Sequence, residues 1–294
     1  MKTKNFLTTL LTIVLISTNT TVFAAKKDTW KAKSEINVIS REDGSGTRGA
    51  FVELTGIEQK NAKGQKVDMT TEEASITNNT SVMITNVNTN NYAIGYISLG
   101  SLNNSVKAVN IENVPPTVQN VKNGTYKLSR PFNIAIKKNI SIVTQDFINF
   151  IMSEEGQKII EKNNYIPLTA QSFVSQMPTG KIVIAGSSSV SPLMEKLKEA
   201  YLQINTNVQI DIQTNDSSTG IASVAQGICD IGMASRNLKD SESAKGLNSL
   251  TIALDGITVI VNNKNPQTNL NIEDVRKIYT GEILYWKDLE NETK

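Results

Sequence analysis

Residues 36–47 read Ile36-Asn-Val-Ile-Ser-Arg-Glu-Asp-Gly-Ser-Gly-Thr47, a pattern typical of a strand, a turn and a helix in succession. An apolar, β-prone run ends near Ser40, two glycines mark a turn, and the following residues have the composition of a short helix. Such a strand–turn–helix unit aims backbone N–H groups and the positive end of the helix dipole at one point. Ser45 and Thr47 add hydroxyls there, and Arg41 adds a planar guanidinium suited to a tetrahedral oxyanion. The segment predicts an anion-binding loop, although an ordinary helix-capping turn would have a similar composition.

Two further units of the same kind make the anion-binding interpretation stronger. Residues 182–185 predict a strand, residues 186–189 form a turn rich in hydroxyl groups, and Ser191 is the expected N-cap of an amphipathic helix. Residues 208–214 alternate as a strand, and the serine-rich segment 215–220 leads into another apolar helix. One serine turn is usually a plain cap, but three in one chain predict a shared site.

Composition limits what those turns do. The chain has 294 residues, is 39% hydrophobic and 20% charged, and carries a formal net charge of +2, as expected for an ordinary globular protein. The low aromatic content and near-neutral charge argue against a nucleic-acid partner. Histidine is absent, which excludes Ser-His-Asp and Cys-His catalysis and histidine metal sites. The single cysteine, Cys229, lies in an apolar run and is expected to be a core residue.

The first residues have the pattern of a signal peptide. Lys2 and Lys4 precede an apolar run at 6–16, and small residues end the segment at Ala24, where cleavage is expected. The run is too short to span a bilayer, and the segment has no cysteine for lipid attachment. The sequence therefore predicts a secreted or cell-surface protein.

The rest of the chain continues to alternate between strands and helices, which favours parallel sheets covered by helices. The expected strands are 92–97, 131–136 and 256–261, and the expected helices are 146–162 and 272–279. The polar stretch 168–180 is typical of a linker. Ligands of such sheets gather beyond the carboxyl ends of the strands, where all three serine-bearing turns are expected.

Several motifs together resemble the phosphate-binding proteins, which are the solute-binding components of high-affinity phosphate ABC importers. The motifs are Arg41–Thr47, Tyr92–Gly100, Gly186–Met194, Asp230–Arg236 and Tyr279–Ile283 with Trp286. The likeness covers about 35 to 290, but the order differs: in the family, the Gly-Ser-Ser-Ser-Val segment precedes the Arg-x-Asp-Gly-Ser-Gly-Thr segment. The chain therefore looks like a circular permutant, natural or artificially reordered.

The resemblance implies an α/β, two-lobed, periplasmic-binding-protein-like fold of the class II type, closing like a Venus flytrap. One lobe is expected to be continuous, at 126–254, and the other discontinuous, at 35–125 plus 255–294. The linker 168–180 would join the family's original ends, an arrangement that permutation tolerates when those ends are close. We expect a monomer, with exchange of terminal segments between two molecules as the alternative.

The resemblance also implies a site for phosphate between the lobes, with no metal or cofactor. The expected binding residues are Arg41, Ser45, Gly46 and Thr47 from one lobe and Ser188, Ser189, Val190, Ser217, Ser218 and Ser235 from the other. Asp43 is expected to orient Arg41, with a turn-forming aspartate as an equal alternative. Some family members have an aspartate, an acceptor for a phosphate proton, where this chain has Ser235 and Arg236, so preference over sulfate rests on resemblance alone.

The function implied by the resemblance is extracytoplasmic binding of phosphate and its delivery to an ABC permease. A secreted scavenger, sensor or adhesin with the same pocket is one alternative, and binding of another oxyanion such as sulfate is another. An enzyme acting on phosphate esters would need a nucleophile, metal or base beside the turns, and the sequence supplies no histidine or clustered carboxylates for it.

Overall fold

The structure, a computed structural model, describes residues 30–290, so the expected signal peptide 1–24 and its cleavage site lie outside the described residues. The strands are β1 (Asn37–Arg41), β2 (Glu58–Lys60), β3 (Lys66–Asp68), β4 (Ser75–Thr77), β5 (Ala93–Ser98), β6 (Val106–Ala108), β7 (Asn110–Ile111), β8 (Ser129–Ile136), β9 (Gly180–Ser187), β10 (Val208–Asn215), β11 (Ile231–Ala234), β12 (Asn248–Asn262) and β13 (Asn269–Leu270). The α-helices are α1 (Gly46–Leu54), α2 (Thr80–Thr89), α3 (Val118–Lys122), α4 (Ile142–Ile151), α5 (Glu154–Lys162), α6 (Ser191–Ile204), α7 (Ser217–Gln226), α8 (Asp240–Ser243) and α9 (Ile272–Thr280). Short 3-10 helices occupy Leu99–Ser101 and Trp286–Glu290.

One mixed sheet runs through the described part of the chain. Its strand order is β10-β9-β11-β8-β12-β5-β1-β4, and β6 pairs with β12. The outer strands are parallel to their neighbours, as the alternating pattern predicts, but β8 and β12 run antiparallel through the middle. The expectation of purely parallel sheets is therefore wrong, because the 15-residue strand β12 pairs with β8 at one end and with β5 at the other.

Two large apolar cores lie at opposite ends of this sheet. The first contains residues between Ile36 and Leu128 and between Ile257 and Leu289, together with Ile166 from the middle of the chain. The second contains residues from Phe132 to Ala253 only. We call the parts built around these cores the discontinuous lobe and the continuous lobe. Because β8 and β12 join them, the molecule has the two-lobed α/β architecture that the sequence predicts.

The expected helix at 146–162 is two helices, α4 and α5. Ser153 caps α5 by accepting a hydrogen bond from the backbone N–H of Gly156 at 3.1 Å. A Cβ at Gly156 would lie 2.5 Å from the carbonyl oxygen of Ile151 at the end of α4. The glycine therefore permits a tight corner between two helices rather than a mild interruption of one.

The first described residues lie beside the last ones. The backbone N–H of Ile36 donates to the carbonyl of Leu284 at 2.8 Å, and that of Lys287 donates to Ala32 at 2.9 Å. The ring of Trp30 lies 5.8 Å from that of Trp286, edge to face. The two ends of the described chain are therefore adjacent in the discontinuous lobe.

The segment between α5 and β9 is attached to the surface of the continuous lobe. The buried carboxylate of Asp146 accepts hydrogen bonds from Ser175 Oγ at 2.7 Å, from the backbone N–H of Gln176 at 3.2 Å and from Tyr201 Oη at 2.7 Å. A polar connection is thus ordered by one carboxylate of α4.

The single cysteine lies in the core, as the sequence predicts. Cys229 is buried, with 6% of its surface exposed, as expected of a small core residue. Among residues 30–290, no helix combines the length and the apolar character needed to cross a membrane.

Candidate oxyanion-binding site

The first wall of the site is the loop between β1 and α1. Arg41 ends β1 and is only 2% exposed. Tyr96 on β5 supports it, because its hydroxyl accepts from the backbone N–H of Arg41 at 3.2 Å and hydrogen-bonds Ser40 Oγ at 2.8 Å. Burial raises the pKa of Tyr96 to about 12, so this hydroxyl stays protonated. Ser45 caps α1 by accepting from the backbone N–H of Arg48 at 3.3 Å, so part of its capacity serves the helix.

The carboxylate that orients Arg41 is Glu42 and not Asp43. Glu42 accepts from Arg41 Nε at 2.8 Å and from Arg41 Nη2 at 2.7 Å, a bidentate pair. Asp43 instead points outward, with its side chain 95% exposed, and pairs with Arg48 Nη1 at 2.9 Å. The expected orienting role of Asp43 is therefore corrected: in this turn the side chain of Asp43 faces solvent, and its neighbour faces the guanidinium.

The second wall is the serine-rich turn between β9 and α6. The backbone N–H of Val190 donates to the carbonyl of Ser187 at 2.9 Å, and that of Ser189 donates to Ser187 Oγ at 3.3 Å, so both amides have partners within the turn. Ser191 is the first helical residue and not the N-cap, because its hydroxyl donates back to the carbonyl of Ser187 at 3.2 Å. This tight turn leaves the side chains of the preceding serines facing the opposite lobe.

The back wall joins three loops of the continuous lobe. Asp216 caps α7 by accepting from the backbone N–H of Thr219 at 2.9 Å. Ser217 is fully buried, and its hydroxyl accepts from the backbone N–H of Ser235 at 3.2 Å. The hydroxyl of Ser187 donates to Ser235 Oγ at 3.0 Å. Hydroxyl groups from the β9–α6, β10–α7 and β11–α8 connections are therefore held together at one place.

The two lobes meet through side chains of the first and second walls. Arg41 Nη2 donates to Ser188 Oγ at 3.0 Å, and Thr47 Oγ1 lies 2.7 Å from Ser189 Oγ. All four residues are at least 95% buried. Helix starts that are more than 140 residues apart along the chain thus converge on one cleft.

Two glycines allow this close approach of the lobes. The carbonyl of Gly44 accepts from the backbone N–H of Ser218 at 3.2 Å, a direct bond between the lobes. A Cβ at Gly44 would lie 2.5 Å from Asp216 Cγ, and a Cβ at Gly46 would lie 2.7 Å from Ser235 Oγ. A Cβ at either position would therefore force the facing side chain of the other lobe to move, so glycine at both positions permits the close approach.

A second arginine borders the site from the continuous lobe. Arg236 pairs with Glu242 through Nη1 at 2.7 Å and Nη2 at 2.8 Å, and its Nη2 also donates to Ser218 Oγ at 3.0 Å. Burial alone would raise the pKa of Glu242, but the Arg236 guanidinium and the backbone N–H of Lys239 more than offset it, so the pKa is lowered. Arg236 therefore holds Ser218 in place within its own lobe.

The strands that join the lobes carry a buried ion pair. Arg130 on β8 donates to Asp255 on β12 through Nε at 3.2 Å and Nη2 at 3.0 Å, with both side chains at most 1% exposed. Ser98 from the discontinuous lobe donates to the same carboxylate at 2.8 Å. Burial raises the pKa of Asp255 to about 6 even with Arg130 beside it. The pair fixes the point at which the chain passes between the lobes.

Sequence reasoning missed three residues that build the site. Glu42 directly follows Arg41, so the sequence offered two neighbouring acidic residues, Glu42 and Asp43, as possible partners of the guanidinium. Ser187 belongs to the predicted hydroxyl-rich turn, but nothing in the turn distinguishes the serine that faces the back wall. Tyr96 lies in a buried strand, and its contact with Arg41 depends on the pairing of β1 with β5.

The site offers buried hydrogen-bond donors from both lobes. Across the described residues, no group of His, Cys, Asp and Glu side chains is placed to hold a metal ion. The carboxylates at these loops are engaged by the protein: Glu42 by Arg41, Asp216 by Thr219 and Glu242 by Arg236. Guanidinium, hydroxyl and helix-start groups from both lobes define a two-lobed α/β protein whose cleft has the donor chemistry suited to a small oxyanion.

Comparison with known proteins gives the family. The sequence model of the PBP superfamily domain matches residues 16–155 and 174–294. Phosphate-binding protein PstS 2 of Streptococcus agalactiae serotype V is 54% identical over 260 residues, 88% of this chain and 89% of the relative. Its counterpart in Streptococcus pneumoniae serotype 4 is 45% identical over 88% of this chain. The PstS protein of Bacillus subtilis matches at 30% identity over only 38% of each chain.

A solved structure agrees with this assignment. The crystal structure of a phosphate-binding protein of a phosphate ABC transporter from Streptococcus pneumoniae TIGR4 superposes with a TM-score of 0.69. It has 45% sequence identity and covers 87% of this chain and 100% of the other. The chain therefore belongs to the PBP superfamily and, within it, to the PstS family of phosphate-binding proteins.

Proposed function

We propose that this protein binds inorganic phosphate between its lobes, outside the cytoplasm, and delivers it unchanged to the membrane permease of an ABC importer. The observation that carries the proposal is the meeting of Arg41 with Ser188 and of Thr47 with Ser189 across the cleft. These buried donors come from both lobes, so one small anion would contact both at once and favour the closed form. The names of the PstS relatives support phosphate as that anion.

The proposed binding groups fall into two sets. Arg41, Thr47, Ser188 and Ser189 bind the anion from the two facing walls, and the deeper residues Ser217 and Ser235, the supporting residues Ser45 and Ser218 and the backbone of Gly46 complete the pocket. The backbone N–H of Val190 donates to Ser187 and so supports the serine turn instead of binding the anion. Hydrogen bonds to a charged group contribute about 1.5–3 kcal/mol each. Half a dozen would support a Kd of micromolar or tighter, about 8 kcal/mol, after the cost of closing the lobes.

Selectivity depends on hydroxyl oxygens rather than on a carboxylate. Glu42, Asp216 and Glu242 are each hydrogen-bonded to protein groups. A hydroxyl donates to an ionised oxygen and accepts from a protonated one, so serine and threonine can serve either anion. The hydroxyls alone therefore give no preference, and we expect sulfate to compete. The expectation that phosphate binds more tightly rests on the names of the PstS relatives.

Calorimetric titration of the mature chain, starting at residue 25, with phosphate and with sulfate tests the proposal. We expect one site per chain, a phosphate Kd of micromolar or below, and a weaker sulfate isotherm. Equal affinities would remove the phosphate assignment and leave oxyanion binding, whereas no heat with either anion would remove the site.

Delivery to a permease needs a separate test in cells. We expect deletion of the gene to reduce uptake of radiolabelled phosphate at micromolar concentration, and expression of the wild-type chain but not of Arg41→Ala to restore it. Unchanged uptake, with binding intact in vitro, would favour a secreted sensor or scavenger over an importer component.

The lobes are proposed to comprise about 129–254 on one side and 35–128 plus 255–294 on the other, in a circularly permuted order. The boundary moves from the expected 126 because Tyr126 and Leu128 pack in the core of the discontinuous lobe. Two observations support the permutation: the described ends pack together near Trp286, and the match to the Bacillus subtilis relative is only partial. The test is a gene that joins the two ends of the described chain and opens it within 168–180. We expect a folded, phosphate-binding monomer, because both lobes keep their contacts; an unfolded product would contradict the permutation.

A further inference from the structure

A fourth helix start faces the same cleft. Thr80 is the first residue of α2, a helix of 10 residues in the discontinuous lobe, and it is 5% exposed. The capping role belongs to the preceding residue, Asn79, whose side chain accepts from the backbone N–H of Val82 at 2.8 Å. The hydroxyl of Thr80 is therefore not needed to cap its own helix, in contrast to that of Ser45.

The hydroxyl of Thr80 contacts the serine turn of the opposite lobe. Its Oγ1 lies 3.3 Å from Ser189 Oγ and 3.4 Å from Ser188 Oγ. These serines are the ones that meet Thr47 and Arg41. Thr80 therefore lies beside both interlobe contacts, that of Arg41 with Ser188 and that of Thr47 with Ser189. It belongs to α2, which is not part of any of the three serine-bearing turns.

A cleft of about 350 Å³ opens beside this contact. Asn79, Thr80 and Ser81 line it from the discontinuous lobe, and Ser188, Ser191 and Thr214 are among its lining residues in the continuous lobe. The first N–H groups of a helix have no acceptors within the helix, so the start of α2 presents donors and the positive end of its dipole to this space. Thr80 thus both contacts the serine turn of the opposite lobe and lines this cleft.

We propose that Thr80 is a further binding residue of the oxyanion site, contacting an anion oxygen directly through its hydroxyl. This inference rests on the proposed phosphate-binding function. When an anion occupies the cleft, the long hydroxyl–hydroxyl contacts of Thr80 are exchanged for a shorter, charge-assisted bond to the ligand. The start of α2 then adds a fourth dipole to the three from α1, α6 and α7.

The test uses three variants on one helix. Thr80→Val removes the hydroxyl and keeps the shape, Thr80→Ser keeps the hydroxyl, and Thr85→Val makes the same change at an exposed position of α2. We expect Thr80→Val to raise the phosphate Kd about tenfold, from the loss of one hydrogen bond to a charged group. Thr80→Ser should stay within about threefold and Thr85→Val within about twofold of wild type.

Thermal unfolding without and with phosphate separates binding from packing. Thr80→Val should unfold at the wild-type temperature without phosphate and show a smaller upward shift when phosphate is added. A wild-type phosphate Kd in Thr80→Val would overturn the inference and leave the proposed function intact. A phosphate Kd raised as much in Thr80→Ser as in Thr80→Val would also overturn it, because the shape of the side chain and not its hydroxyl would then determine the affinity. Absence of phosphate binding by the wild-type chain would instead refute the proposed function itself.

Discussion

Each lobe brings one buried arginine to the cleft, and each arginine is held by a glutamate in a bidentate pair. Arg41 pairs with Glu42 and also reaches Ser188 in the opposite lobe. Arg236 pairs with Glu242 through Nη1 and Nη2, and its Nη2 also donates to Ser218 in its own lobe. The first pair therefore contributes to contact between the lobes, and the second pair orders one wall.

Two arginine–glutamate pairs of the same geometry therefore have different consequences, because one arginine also binds a serine of the opposite lobe and the other binds a serine of its own lobe. A guanidinium whose free donors face the other lobe can stabilise the closed form and an enclosed anion. A guanidinium whose donors all return to its own lobe stabilises the fold. We therefore expect affinity to respond to the first arginine and stability to respond to the second.

The largest effect is expected for Arg41→Ala. Loss of the guanidinium removes charge-assisted hydrogen bonds worth about 1.5–3 kcal/mol each, so the phosphate Kd should rise at least about a hundredfold. Calorimetry measures it, with circular dichroism confirming that the variant is folded. A change in Kd below about threefold would contradict the role of Arg41 in binding the anion.

The next effect is expected for Arg236→Ala, and it concerns stability. Removing one partner of a buried pair leaves Glu242 uncompensated and should lower the free energy of unfolding by about 3 kcal/mol. Urea denaturation measures it. The phosphate Kd should rise less than about tenfold, since the remaining contacts of Ser218 are to the backbone. A normal stability with a hundredfold loss of affinity would show that the two arginines have the same role.

Closure of the lobes is tested by Gly44→Ala. The new methyl group would overlap the carboxyl of Asp216, so closing should cost about 2 kcal/mol and the Kd should rise roughly thirtyfold. Gly49→Ala is the matched control, because its Cβ would lie 3.6 Å from the nearest side-chain atom, Arg236 Cδ. Comparable phosphate affinities for the two variants would mean that the approach of Gly44 to Asp216 is not needed for binding.

The orientation of Arg41 is tested by comparing Glu42→Gln with Asp43→Asn. The amide at 42 keeps one acceptor and loses the charge, so the phosphate Kd should rise about fivefold, or roughly 1 kcal/mol. The same change at the exposed position 43 should leave the Kd within about twofold. Titration of both variants under identical salt decides; a larger loss in Asp43→Asn would return the orienting role to Asp43.

The smallest expected effect is a pH dependence of the free energy of unfolding that comes from the pair of Arg236 with Glu242. The pKa of Glu242 is lowered in the folded protein, so the folded state binds fewer protons than the unfolded state as that carboxyl titrates. Its contribution is therefore present above the unfolded value of 4.5 and is lost as pH falls through the folded pKa. Urea denaturation between pH 7 and 3 should show a shallower acid loss in Glu242→Gln than in wild type.

Local patterns predicted the elements better than their arrangement. The strand–turn–helix units around Arg41, Ser189 and Ser217 appear as expected, because glycine, serine and apolar periodicity act within a few residues. The break between α4 and α5 was not predicted, since Gly156 is needed only because α4 ends against it. The choice between Glu42 and Asp43 likewise depends on which neighbour faces the buried guanidinium.

The alternation of strands and helices, the exclusion of histidine chemistry and the serine-bearing helix starts suited to an anion all follow from local sequence. The mixed sheet that joins the lobes, the packing of Gly44 and Gly46 against the opposite lobe and the contact of Thr80 with Ser189 appear only in the folded molecule. Hydrogen-bonding type and periodicity are properties of a few adjacent residues, whereas contact between residues more than 100 positions apart depends on how the whole chain packs.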